Sequence, residues 1–148
     1  MEPIAQLMDE HLELLDLGGE IRRLLRAGKR FEAVRALGEL ERRLSSHVRR
    51  EEAGLFAALK ADGDFAGAVL ELEVEHTAFD AAFAALDLEA VDLAQRVDEM
   101  LDELSLHIDK ENLGIFPVAV VSLGASGWEI VGRAERAAEP TTSPQAGR

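Results

Sequence analysis

Four stretches of the chain repeat apolar residues every three or four positions, the spacing that places side chains on one face of a helix. The first opens at Pro3, a favoured first helical residue, and ends near Gly28. The second covers about 31–60, the third begins at Phe65, and the fourth follows an acidic connection at 87–92. The faces of the four predicted helices carry Ile4, Met8, Leu15, Ile21 and Leu25; Val34, Leu37, Leu40, Leu44, Leu55 and Ala58; Val69, Leu72, Phe79, Phe83 and Leu86; and Val97, Met100, Leu104, Ile115 and Val118.

Short connections force neighbouring helices to run antiparallel, so we expect an all-α fold, an up-down-up-down four-helix bundle. Pro117 is expected to kink or end the fourth helix. Ser126 and Glu129 have the spacing of a capping box, which predicts a short final helix that docks Trp128 on the bundle. The composition of 139–148 predicts a disordered tail, so residues 1–138 are expected to form one domain.

Composition narrows the class of protein. Aromatic residues make up only 5% of the 148, and Ala and Leu dominate, which favours helices over sheets. Because there is no cysteine, thiolate metal sites and disulfides are excluded. A net charge of −13 argues against nucleic-acid binding. The acidic start is unlike a signal peptide and the apolar runs are too short for a membrane span, so we expect a cytoplasmic protein.

All four histidines interrupt these apolar faces. His11 and His76 stand alone, whereas the second and fourth helices carry His47-x-x-x-Glu51 and His107-x-x-x-Glu111, a spacing that puts both side chains on one helix face. His11 lies 17 residues before Gly28 and His47 lies 19 residues after it, so folding at this turn brings them level. His76 and His107 are level only if their turn centres near residue 91.

A single histidine on an apolar face is more often a core residue than a ligand. A buried carboxylate without a partner is costly, however, and a cation would offset that cost. The six side chains therefore predict a dinuclear metal site in which each ion takes two histidines and both glutamates bridge, with an oxo or hydroxo group completing the bridge. Nitrogen and oxygen ligands without sulfur suit iron or manganese, with zinc as a substitute. The predicted ligands are His11, His47, Glu51, His76, His107 and Glu111.

Other side chains near these positions have two interpretations each. Phe56, Phe79 and Phe83 either wall a dry pocket for a small ligand or are ordinary core. Glu52 and Asp80 either support the ligands, bind metal directly, or are solvated.

The chain resembles the haemerythrin-like family, also called the HHE cation-binding domain, over about residues 4–122. The resemblance rests on the six predicted ligands and on the endings Gly54-Leu-Phe56 and Gly114-Ile-Phe-Pro117. It implies a non-haem di-iron centre in a helical bundle. The ferritin-like di-iron family does not fit, because its motif is Glu-x-x-His. The chain differs from the oxygen-carrying members of the family that it resembles at two positions. Asp80 stands where those proteins have a fifth histidine, and Glu111 stands where they have an aspartate on the fourth helix.

Three functions remain open from the sequence. The first is redox chemistry on dioxygen, peroxide or nitric oxide, such as catalase-like breakdown of peroxide. The second is a sensing or storage module for oxygen, nitric oxide or iron that does not turn over. The third is a structural or partner-binding helical protein. The sequence leaves the oligomeric state and the electron donor open.

Overall fold

The computed structural model of the protein describes residues 2–138. All regular secondary structure in this range is helical, which confirms the all-α prediction. The helices are α1 (Glu2–Arg26), α2 (Arg30–Glu51), α3 (Ala57–Asp62), α4 (Ala66–Ala85), α5 (Leu93–Lys110), α6 (Phe116–Ser122) and α7 (Ala125–Ala138), with π-helical segments π1 (Glu52–Phe56) and π2 (Glu111–Ile115). The predicted tail lies outside the described residues.

Two of the short connections use glycine in a left-handed conformation. Gly28, between α1 and α2, has φ +74°, and Gly63, between α3 and α4, has φ +94°. Only glycine adopts such angles without strain, so these positions end the preceding helices. The longer connection between α4 and α5 is held by Arg30, whose guanidinium donates hydrogen bonds to the carbonyl oxygens of Leu88 and Ala90 at 2.6 and 2.8 Å.

Helical backbone continues from α2 through π1 into α3, and from α5 through π2 into α6. Pro117 therefore does not end the helical run: it lies directly after π2, in the first turn of α6, and α6 continues to Ser122. The final helix starts at Ala125, one residue before the predicted cap. The Trp128 amide donates to the Gly124 carbonyl at 3.1 Å, and its indole is partly buried against the core.

The core consists of two apolar clusters. One contains Leu7, Leu55, Phe56, Leu72 and Phe116, and the other contains Leu14, Leu44, Phe79, Leu104 and Ile108. Along each long helix, the histidine or glutamate positions fall between a residue of the first cluster and a residue of the second. A buried polar layer therefore separates the two clusters. No helix within residues 2–138 is long and apolar enough to cross a membrane.

Helix α7 covers one side of this core. It packs on π1 and α3, and a Cβ built on Gly54 would lie 3.2 Å from the Cβ of Ala134. Gly114, the corresponding residue of π2, has nothing within 4 Å of such a Cβ. The two π-helical segments therefore have different surroundings although their sequences are similar.

Candidate metal centre

The four imidazole rings meet in two pairs inside the protein. The Nε2 atoms of His11 in α1 and His47 in α2 are 3.0 Å apart, and those of His76 in α4 and His107 in α5 are 3.1 Å apart. Each residue is between 1 and 3% exposed. Two rings approaching through the same nitrogen cannot both carry a proton there, so at least one nitrogen of each pair presents a lone pair to the shared space.

Two fully buried carboxylates lie between the histidine pairs. Glu51 places Oε2 at 3.2 Å from His47 Nε2 and Oε1 at 3.1 Å from His76 Nε2. Glu111 places Oε1 at 2.9 Å from His11 Nε2 and Oε2 at 3.2 Å from His107 Nε2. Each carboxylate thus directs one oxygen to each pair, which is the arrangement of a bridging ligand.

The six predicted residues consequently form two groups that share both glutamates. In each group one ligand atom per residue can be chosen such that all lie within 4.8 Å of one another. The groups are His11, His47, Glu51 and Glu111, and His76, His107, Glu51 and Glu111. We call these the first and second half-sites. Each offers two nitrogens and two oxygens.

The π-helical segments begin at or directly after these glutamates. In π1 the amide of Ala57 bonds to the carbonyl of Glu52, and in π2 the amide of Phe116 bonds to the carbonyl of Glu111, both five residues back. In an α-helix, a residue five positions after a glutamate would point about 140° away from it. The extra residue in a π turn brings that position back toward the site.

Phenylalanines at those positions lie flat against histidines. The ring of Phe56 stacks on His76 with centroids 5.5 Å apart and planes 3° apart, and Phe116 stacks on His11 at 5.4 Å and 7°. Phe79 meets His107 edge-on at 5.5 Å. These contacts keep water from the imidazole faces and fix the ring orientations.

The outer nitrogens of two histidines donate to carboxylates that are held by cations. Nδ1 of His47 lies 2.6 Å from Glu10, which also accepts from Arg50 at 2.6 Å. Nδ1 of His107 lies 2.8 Å from Glu75, which also accepts from Lys110 at 2.6 Å. Burial would raise the pKa of Glu10, but its hydrogen bonds to the histidine and the arginine lower that pKa to about 2. An Nδ1–H directed outward leaves Nε2 free to bind a metal.

The other two histidines take their outer partners from the residues that directly follow the glutamates. Nδ1 of His76 lies 2.8 Å from a carboxylate oxygen of Glu52, and Nδ1 of His11 lies 2.8 Å from the amide oxygen of Asn112. Every one of the four rings is therefore oriented by an outer acceptor. Three of these acceptors are carboxylates and one is a neutral amide.

The centre of the site fits cations. All four oxygens of Glu51 and Glu111 are buried without a hydrogen-bond donor among the described residues. Two carboxylates in this state are costly unless positive charge lies beside them. Four imidazole Nε2 atoms converge on the same space, so metal ions at the two half-sites would satisfy every one of these groups.

The same carboxylates raise the pKa values of two histidines, which favours positive charge in the site. Burial would lower the pKa of His47, but its contacts with Glu10 and Glu51 outweigh burial and raise the pKa to about 9. Burial also opposes charge on His76, yet Glu111, Glu51 and Glu52 raise its pKa to about 10. Without metal, protons therefore occupy part of the space that metal ions would take.

The structure distinguishes the other side chains for which the sequence left two interpretations open. Glu52 reaches the site as the partner of His76, whereas Asp80 is exposed to solvent although it follows His76 by four residues. Phe83 is only partly buried in the apolar core. Sequence reasoning assigned no role to Asn112, and it included Phe116 only in the ending Gly114-Ile-Phe-Pro117. The internal repeat could have indicated both residues, because they follow Glu111 by one and five places, as Glu52 and Phe56 follow Glu51.

Two pairs of histidines with two buried carboxylates between them, inside an all-helical protein, form a site that could hold metal ions. The family model of the hemerythrin HHE cation binding domain matches residues 2–119, and the chain belongs to this family. The match confirms the resemblance drawn from the motifs. Comparisons with curated proteins and with solved structures gave no match.

Proposed function

We propose that the protein binds two iron ions, one at each half-site, and reacts with or reversibly binds dioxygen, hydrogen peroxide or nitric oxide there. The observation that carries this proposal is the set of four buried carboxylate oxygens without donors, facing four imidazole nitrogens. Imidazole and carboxylate ligands without sulfur suit iron, with manganese or zinc as substitutes. Four ligands per ion leave further coordination positions for a bridging oxygen and a small ligand.

We also propose an up-down-up-down bundle as the frame of the site. Only three residues, 27–29, connect α1 to α2, and three, 63–65, connect α3 to α4. Connections this short favour antiparallel neighbours. Such neighbours bring mid-helix residues level with one another, which agrees with the pairing of His11 with His47 and of His76 with His107.

When bound, a pair of iron ions supplies one-electron redox steps and open coordination positions for a small ligand. The chain's own residues hold the imidazoles in one tautomer through Glu10, Glu52, Glu75 and Asn112. The two stacked phenylalanines exclude water from the rings. These features keep the coordinating atoms in fixed positions during a reaction, which limits reorganisation.

A cleft beside the second half-site offers access for a small molecule. It has a volume of about 250 Å³ and lies between α4 and α5 against His107. Its walls combine apolar Ala78, Phe79 and Leu106 with charged Glu75, Glu103 and Lys110, and a small ligand in it would lie beside the outer side of His107. This access favours turnover, and we propose catalase-like conversion of two hydrogen peroxide molecules into water and dioxygen, in which peroxide is both oxidant and reductant.

Sensing or storage without turnover is the second candidate. The burial of all six predicted ligands, each at most 3% exposed, favours a centre that holds its ions and admits little else. In either case we propose a cytoplasmic protein with small-molecule ligands and no nucleic-acid partner.

The proposal is tested by metal analysis after anaerobic reconstitution with ferrous iron. We expect two ions per chain and an ultraviolet–visible spectrum that changes on addition of peroxide. Less than half an ion per chain would overturn the metal proposal and leave a structural helical protein. Dioxygen evolution from peroxide, measured with an electrode, then separates the two candidates: a rate above that of free iron supports turnover, and a rate no higher supports sensing or storage.

A further inference from the structure

The site is built from two similar halves. Residues of α1 match residues of α4 that lie 65 positions later, and residues of α2, π1 and α3 match those of α5, π2 and α6 that lie 60 positions later. The matched pairs that touch the site are Glu10 and Glu75, His11 and His76, His47 and His107, Arg50 and Lys110, Glu51 and Glu111, and Phe56 and Phe116.

Two positions that contact an imidazole break this correspondence. Phe79, which meets His107 edge-on, matches Leu14, a change between apolar residues, whereas the second position changes the charge. The residue after Glu51 is Glu52, and the residue after Glu111 is Asn112. Both accept a hydrogen bond from a histidine Nδ1 at the same distance, 2.8 Å, so the geometry is conserved between the halves while the charge is not.

The charge of the groups that accept from the imidazoles differs between the half-sites by one unit. In the first half-site, Glu10 is paired with Arg50, which also lies 3.8 Å from Glu135, and Asn112 is neutral. In the second, Glu75 is paired with Lys110, but no lysine or arginine of the described chain pairs with Glu52. Among the groups that accept directly from an imidazole, the second half-site therefore has two carboxylates and the first has one.

Building on the proposed function, we propose that Glu52 and Asn112 make the two metal positions unequal, so that the first divalent ion binds at the second half-site. A carboxylate that accepts from Nδ1–H draws the proton toward itself and makes Nε2 a stronger donor to a metal than an amide oxygen does. The carboxylate of Glu52, in contact with His76 at 2.8 Å, also lies closer to the ion than the outer carboxylate Glu135 of the first half-site, which lies beside Arg50. Changes to such outer partners typically alter metal affinity about 10–100-fold, so the first ion prefers the second half-site by a factor of that order.

The two residues act by positioning and polarising the histidines, and the test reads out where the first ion goes. Zn²⁺ is added at one equivalent to metal-free protein labelled with ¹⁵N in its histidines. The imidazole ¹⁵N signals then show which histidines have bound. The position of the first ion is the informative quantity, because repulsion between two ions separates the two binding steps even in identical half-sites.

In the wild-type protein we expect the signals of His76 and His107 to change and those of His11 and His47 to stay. E52Q, which removes the carboxylate from a partly exposed side chain, is expected to give about equal occupancy, as is N112E. The double variant E52Q/N112E is expected to reverse the preference. A control, D80N, removes an exposed carboxylate near the second half-site that makes no contact with an imidazole, and should leave the distribution unchanged.

Equal occupancy in the wild-type protein, or first binding at His11 and His47, would overturn the inference while leaving the two-metal proposal in place. A preference that survives E52Q would also overturn it. No change at any histidine at two equivalents of Zn²⁺ would instead contradict the proposed function. Because E52Q preserves size and lies at the edge of the site, it keeps the test decisive even where N112E fails to fold.

Discussion

Replacing Glu51 with glutamine tests the bridging role directly. Glutamine keeps the size of the side chain but offers one carbonyl oxygen and an NH₂ group that cannot bind a metal. Because Glu51 directs one oxygen at 3.2 Å toward His47 and the other at 3.1 Å toward His76, the change weakens both half-sites at once. If Glu51 bound only one ion, the same substitution would weaken only one half-site.

The magnitude follows from linkage between binding and folding. With each ion at 100 times its dissociation constant, binding adds about 2.7 kcal/mol per site to the free energy of unfolding, or about 5.4 kcal/mol for two. For a chain of this size, that corresponds to an increase in Tm of roughly 10–20 °C. If E51Q weakens each site by about 100-fold, the same metal concentration adds only about 0.8 kcal/mol, or about 2–3 °C.

The assay is thermal unfolding followed by circular dichroism, with and without added metal at a fixed concentration. D80N is the matched control, since Asp80 follows His76 by four residues, as Glu51 follows His47, but is exposed. We expect D80N to retain the full metal-dependent shift. A full shift in E51Q would refute the bridging assignment, and no shift in the wild-type protein would refute metal binding altogether.

Further predictions concern pH and packing. Folding raises the pKa of His47 to about 9 and that of His76 to about 10, so protonation of these histidines stabilises the metal-free protein fully below pH 6.5. This stabilisation is lost as the pH rises through both values. The Tm measured in the presence of a chelator should therefore fall between neutral and alkaline pH. Gly54→Ala should lower the free energy of unfolding by about 1–3 kcal/mol, since its Cβ would lie 3.2 Å from that of Ala134. Gly114→Ala, with nothing within 4 Å, should instead raise it by up to about 1 kcal/mol, and the opposite signs are checked by urea unfolding.

The helices were predictable from periodicity, but the buried face of α1 was not read correctly at every position. Met8 and Leu15 were assigned to the core, yet Met8 is 39% exposed, whereas Leu7 and Leu14 are buried. Both sets fit a three-to-four spacing around His11, because α1 carries leucines on adjacent positions. Only the neighbouring helices decide which of two adjacent apolar rows is covered, and a sequence pattern does not contain that information.

The six central side chains were predictable because histidine and glutamate are conspicuous on an apolar face. The two π-helical segments were not, since no residue type is specific to a π turn and its effect is visible only in the path of the backbone. Asn112 and Phe116 depend on those segments for their direction. The repeat of Glu51-Glu-x-Gly as Glu111-Asn-x-Gly indicated that positions 52 and 112 are equivalent, but not that both reach an imidazole.

The contacts of the site also explain why metal binding should stabilise the whole domain rather than one part of it. The helical segments before Gly63 contribute both histidines of the first half-site, and those after it contribute both histidines of the second. The shared carboxylates connect them, since Glu51 reaches His76 and Glu111 reaches His11. The hydrogen bonds of Glu52 and Asn112 connect the same two parts in the same way. Neither part alone completes a half-site, so ions bound there would link the two halves of the chain and make their unfolding cooperative.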